Sequence, residues 1–213
     1  MDIINAIKKP FTDWKKFLIG FLLGIIPIVN FILIGYGLEV IKNTLNKNKK
    51  LPEWKNFGQK FVQGLVAILI GIIYAIPLGI FAIVSLGVPA MMQMMNVSAT
   101  GMMDFSIFAG LGPVIIALII LAILTTLVQK AAIVRYAEKR KFSAAFDFSI
   151  VFRKGFSGSF ILAVVAATAY SAILSFAIAF LSAMVPFVFV GLLAFILTIT
   201  ANTLLAEGYR AAK

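Results

Sequence analysis

VQGLVAILIGIIYAIPLGIFAIVSL, residues 62–86, decides what kind of chain this is. The run holds no charged side chain and exceeds the roughly 20 residues a helix needs to cross a bilayer core about 30 Å thick. A second run, FAGLGPVIIALIILAILTTLV at residues 108–128, has the same character. A charge at the centre of such a run costs about 2.5–3.5 kcal/mol on insertion scales. Both runs therefore read as membrane spans.

The charges thread the rest of the chain. All nineteen Lys and Arg residues fall in four clusters, and residues 17–41, 61–129 and 155–209 contain none. Between the two spans, residues 87–106 carry no basic residue and one acid, Asp104, whereas residues 130–154 carry seven basic residues. Cytoplasmic connections are the ones enriched in Lys and Arg, so 87–106 is expected outside and 130–154 inside. Residues 42–60, with six basic residues, and the N-terminal Lys8, Lys9, Lys15 and Lys16 also read as inside. A single span across 17–41 would separate these two basic regions. Pro27 and Asn30 allow a hairpin instead, with 11–26 going out, Pro27 at the turn and 28–44 returning. The alternative is one kinked span with an external N-terminus. At the other end, 159–183 goes out, Pro186 marks the turn and 187–205 returns, which leaves Arg210 and Lys213 inside.

The expectation is thus an all-α fold, a polytopic transmembrane helical bundle. It has about six membrane helices in one domain over residues 1–213, multi-pass in the cell membrane, with both termini cytoplasmic. The first ten residues lack a signal-peptide cleavage site and read as a mature N-terminus.

Composition excludes more than it assigns. A net charge of +11 would suggest nucleic acid in a soluble domain. At span ends it is explained by anionic lipid and topology, so lipid is the expected partner and nucleic acid is not. The absence of Cys removes disulfides and thiolate chemistry, and the absence of His removes the commonest base near pH 7 and the commonest metal ligand. Neither a nucleophile elbow nor a phosphate-cradling glycine loop is present. No enzyme activity, cofactor or metal is expected.

Two segments look amphipathic. In residues 51–63, Pro52 suits a first helical position, and Trp54, Phe57 and Phe61 recur at helical spacing. In residues 142–152, Phe142 and Phe146 form the matching apolar side. Both are expected as cytoplasmic interfacial helices, with those five aromatics as anchors. An offset of 91 aligns Leu51, Phe57, Phe61 and Gly64 with Phe142, Phe148, Phe152 and Gly155, an internal repeat of 42–86 and 133–181.

Several of these features together resemble one known family. They are Pro27 and Asn30, the Gly35-Tyr36 pair, Leu51-Pro52-Glu53-Trp54 after a basic run, Gly64, and Arg135-Tyr136-Ala137-Glu138 followed by Ala144-Ala145-Phe146-Asp147. The chain resembles the DUF4013 family of prokaryotic, mostly archaeal, integral membrane proteins over nearly its whole length. The resemblance implies a membrane fold and no particular activity.

Four polar residues near the inner ends of the apolar runs are candidates for a cytoplasm-facing vestibule: Glu39, Thr126, Gln129 and Asn202. Thr198 and Thr200 lie above Asn202. The competing reading is hydrogen bonding between helices, with Glu39 paired to Lys42. Glu138 and Asp147 read as solvated charges. The small pairs Gly20/Gly24 and Ala163/Ala167 read as close-packing sites. Met91, Met92, Met94, Met95, Met102 and Met103 offer either soft-metal ligands or an adaptable apolar surface, and the latter is preferred. Two functions remain open. The first is a non-enzymatic membrane-embedded binding or scaffold protein acting through lipid or a protein partner, including a second copy. The other is a small transporter or channel, which requires the four polar residues to line one cavity.

Overall fold

The computed structural model describes residues 2–26, 29–101, 111–182 and 186–212, and among them every regular element is helical. Helix α1 (Ile3–Lys8) starts at Asp2, whose carboxylate accepts the Asn5 backbone N–H at 3.1 Å. A 3₁₀ turn, Lys9–Phe11, leads to α2 (Trp14–Ile25), capped by Asp13 on the Lys16 N–H at 3.2 Å. Then come α3 (Asn30–Leu45) and α4 (Phe57–Ala82). A π turn, Ile83–Gly87, carries α4 into α5 (Val88–Thr100), which ends at Gly101 with φ +70°. Helix α6 (Leu111–Lys139) is followed by a 3₁₀ turn, Phe142–Phe146, and by α7 (Phe148–Gly155). Helices α8 (Gly158–Ser182) and α9 (Pro186–Ala211) complete the chain.

Helix α9 is the hub, packing on α2, α3 and α8, while α4 bridges α3 to α6. One core cluster joins Leu38, Ile70, Leu127, Val134, Phe160 and Leu205. A second gathers Phe17, Leu33, Tyr36, Phe195 and Ile199. Small residues set the closest crossings. A Cβ on Gly35 would lie 1.9 Å from the Lys60 carbonyl oxygen, and one on Gly64 would lie 2.0 Å from that of Phe31. Helices α3 and α4 therefore touch backbone to backbone. Gly24 meets the Gly191 backbone, Gly20 makes room for the Phe195 ring, and Gly208 makes room for the Ala163 methyl, so Gly20, Gly24 and Ala163 sit in crossings.

The outer faces are apolar. On α4, Leu65, Leu69, Ile72, Ile76 and Ile80 form one exposed stripe at helical spacing. Ile116, Ile119, Ile120 and Ile123 do the same on α6, and Phe176 on α8 is 82% exposed. Patches of this extent are not tolerated against water but are at home in lipid. Among the described residues four helical stretches are long and apolar enough to cross a membrane: Phe57–Ala99, Leu111–Lys139, Gly158–Ala179 and Val190–Ala211. These point to a membrane-embedded protein.

Against about six anticipated spans, the described residues hold four stretches that meet this length and composition, and two further details differ from expectation. Helices α2 and α3, with 12 and 16 residues, extend only about 18 and 24 Å at 1.5 Å per residue. Pro27 itself lies outside the described residues. Pro186 is the first residue of α9, a position where its missing N–H costs nothing. The expected outer connection, 87–106, is helical through Thr100, because Pro89 falls where a helix start accepts it and the π turn keeps the chain wound. Met102, Met103 and Asp104 lie outside the described residues. Residues 51–56 form no helix. The helix begins at Phe57, behind Asn56 at φ +54°, because Trp54 is drawn onto α3 instead.

Candidate functional site

A cavity of about 470 Å³ lies between α3, α4, α6 and α9. Its walls are apolar, formed by Ile34, Leu38, Ala67, Ile68, Ile72 and Ile133. Four polar side chains belong to its lining: Gln129, Lys130, Thr198 and Asn202. Two glycines make room for the amides. A Cβ on Gly71 would stand 2.8 Å from Gln129 Nε2, and one on Gly37 would stand 2.3 Å from Asn202 Nδ2. Gln129 Nε2 donates to the Gly71 carbonyl at 3.0 Å, which fixes the amide's direction. Among the described residues neither the Asn202 amide nor the Lys130 ammonium forms a side-chain hydrogen bond, and Lys130 is an exposed residue. An apolar pocket with a few converging polar groups is the usual build of a small-molecule site.

Of the four residues proposed for the vestibule, the structure brings together Gln129 and Asn202. Thr126 is half-buried one turn away and is not part of the lining. Glu39 faces a different cavity, of about 570 Å³, with Gln63, Tyr136 and Arg140. Its partner is Lys60 at 2.7 Å, not Lys42. Lys60 is almost fully buried and also donates to the Lys55 carbonyl at 2.8 Å, so the pair latches α3 to α4. Arg140 donates to Gln63 across the same cavity. Glu138 and Asp147 are not simply solvated, since both accept from Arg135, at 2.8 and 3.2 Å.

The aromatic residues are held by tyrosines that the sequence did not single out for this role. Trp54 stacks on Tyr36 with ring centroids 4.0 Å apart. The Tyr36 hydroxyl donates to the Pro52 carbonyl at 3.0 Å, and the Trp54 indole N–H donates to the Lys16 carbonyl, also at 3.0 Å. Phe57 continues the stack, and Phe61 meets Phe31 of α3 edge-on. In the second segment Phe142 packs on Phe146, which stacks on Tyr74 of α4 at 5.7 Å. The Tyr74 hydroxyl donates to the Ala145 carbonyl at 2.6 Å. Each basic connection is thus pinned to a helix by one tyrosine.

Lys130 is the cavity residue that sequence reading passes over. Its signal was its place directly after Gln129, at the end of a long apolar run. Among the described residues no group of acidic side chains is arranged to hold a metal ion. A family model described as a protein of unknown function, DUF4013, matches residues 18–183. No curated protein and no solved structure matches the chain.

Proposed function

The chain belongs to the DUF4013 family, a membership that brings no activity with it, and we propose from the geometry that it is a membrane-embedded binding protein. On this reading it holds a lipid or similar amphiphile in the cavity between α3, α4, α6 and α9 and catalyses no reaction. The observation that carries the proposal is an otherwise apolar cavity whose lining includes the two amides Gln129 and Asn202, the Thr198 hydroxyl and Lys130. The apolar walls suit an acyl chain, and the amides and ammonium suit a polar or anionic head. The transport reading is weaker, because Glu39 is paired with Lys60 and lines another cavity.

In this proposal the protein sits in the cell membrane with its basic connections on the cytoplasmic side. Helices α2 and α3 form a short re-entrant pair, giving six membrane segments and cytoplasmic ends. Helix α7 lies in the interface, with its Phe148 and Phe152, and Phe156 just past its end, exposed at four-residue spacing toward lipid. The chain has no cysteine, so single cysteines at Asn5 and Asn96 report sidedness directly. Position 5 labelled from outside, or both labelled from the same side, would refute the threading.

Native mass spectrometry tests the binding. The wild type released in mild detergent is expected to retain one amphiphile per chain. Asn202→Leu and Ala67→Phe, which remove the polar contact and fill the pocket, are expected to lose it. Equal retention by all three would defeat the proposal.

A further inference from the structure

A third cavity, of about 550 Å³, lies where α1 and the following turn meet the ends of α3 and α9. It shares no lining residue with the amphiphile cavity. Five cations line it, Lys8, Lys9, Lys47, Lys49 and Arg210, against two carboxylates, Asp2 and Glu207, an excess of three positive charges. Both carboxylates are already engaged. Asp2 caps α1 through Asn5, and Glu207 accepts the Asp2 backbone N–H at 2.6 Å.

Lys9 is the unusual member. Its residue is only 6% exposed, yet its ammonium has a single hydrogen-bonding partner among the described residues, the Thr44 hydroxyl at 2.9 Å. No carboxylate forms an ion pair with it there. Thr44 also organises the other fixed cation, because its carbonyl accepts from Arg210 Nη1 at 2.8 Å. A buried ammonium without a direct ion-pair partner is costly even with the Glu207 charge nearby, and it is normally retained where a charge partner completes it. Here the two cations held on Thr44 line an open volume that falls within the range of ligand sites.

We infer that this cavity is a phosphate-binding site, with Lys9 and Arg210 as fixed donors and Lys8, Lys47 and Lys49 as its further cations. A phosphate group matches both the charge excess and the pairing of a guanidinium with ammonium groups. Its source is either an anionic lipid head group or a soluble phosphate compound, since the chemistry recognised is the same.

Calorimetry on the full chain in an uncharged detergent tests this with two probes, inorganic phosphate and dioctanoyl phosphatidic acid. Saturable 1:1 binding is expected, weakened about tenfold or more in Lys9→Gln, a loss of about 1.4 kcal/mol. A severalfold weakening is expected in Lys49→Ala, which alters an exposed side chain that cannot unfold the protein. Lys15→Gln, which removes an equal charge outside the cavity, and Asn202→Leu, in the other cavity, are expected to bind as wild type. Binding of inorganic phosphate assigns a soluble source, and binding of phosphatidic acid alone assigns a lipid head group. Failure of both probes overturns the inference. So does undiminished binding in Lys9→Gln, or weakening there without any in Lys49→Ala.

Discussion

The α3–α4 crossing offers the sharpest mechanical prediction. In Gly35→Ala the new Cβ would sit 1.9 Å from the Lys60 carbonyl oxygen, 2.6 Å from its carbon and 2.8 Å from its Cα, all backbone atoms that no rotamer change can move aside. Ordinary contact begins near 3.4 Å, so the helices must separate by roughly 1.5 Å along that line, an overpacking strain of about 1–3 kcal/mol. Separation also strains the Glu39–Lys60 pair, one turn further along α3. Gly58→Ala is the internal control, because nothing lies within 4 Å of its Cβ. Near the start of α4 that substitution should be neutral or stabilising, by up to about 1 kcal/mol. Reversible unfolding of the detergent-solubilised protein by SDS titration, followed by far-UV circular dichroism, measures both. Gly35→Ala with a midpoint equal to wild type, or losing no more than Gly58→Ala, would show that the backbones do not touch as described.

Two further outcomes follow from buried polar groups. Tyr36→Phe deletes the hydroxyl that holds the Pro52 carbonyl and should cost about 1 kcal/mol in the same unfolding assay, whereas Tyr36→Leu should cost more by also removing the Trp54 stack. An equal cost for both would deny the stack any role. Burial pushes the Lys9 ammonium down from its ordinary 10.5 to about 8, with the nearby Glu207 charge opposing the shift. Between pH 8 and 10.5 the unfolded chain then binds more protons at this group than the folded one, so its contribution to stability rises with pH across that window, by about 3 kcal/mol in all. Below pH 8 the full cost remains. The difference in unfolding free energy between wild type and Lys9→Met, in phosphate-free buffer, should narrow as pH rises through the window. A constant difference would contradict the burial.

Much of this fold is legible in the sequence because the bilayer imposes a coarse rule. Charge-free runs become spans, and α8 and α9 start within a residue of where hydropathy places them. The N-terminal segments and the 51–56 stretch obey finer rules. Helical spacing of Trp54, Phe57 and Phe61 is compatible with an interface helix, but it does not reveal that Tyr36, far away in sequence, presents a ring and a hydroxyl that hold residues 51–56 outside any helix. The π turn at Ile83–Gly87 and the helix beyond it are hidden for a related reason, since Gly87 and Pro89 are breaker residues in isolation but sit within a continuous helix here. Gln129 and Asn202 could be picked out because amides are rare in apolar runs. Their seats on Gly71 and Gly37, and the separation of Glu39 into another cavity, depend on helix rotation, which the apolar pattern of helices exposed to lipid on one side and protein on the other leaves weakly specified.

The cavity's occupancy is open to one direct measurement. In the naturally cysteine-free chain, Thr198→Cys places a thiol in the cavity lining, and Leu69→Cys places one on the exposed outer stripe of α4. Each is reacted with a small membrane-permeant methanethiosulfonate while a short-chain phospholipid is titrated in. With an amphiphile seated in the cavity, the rate at position 198 is expected to fall saturably, by about tenfold or more at full occupancy, while the rate at position 69 stays unchanged. Equal responses at the two positions would contradict an amphiphile site in the cavity.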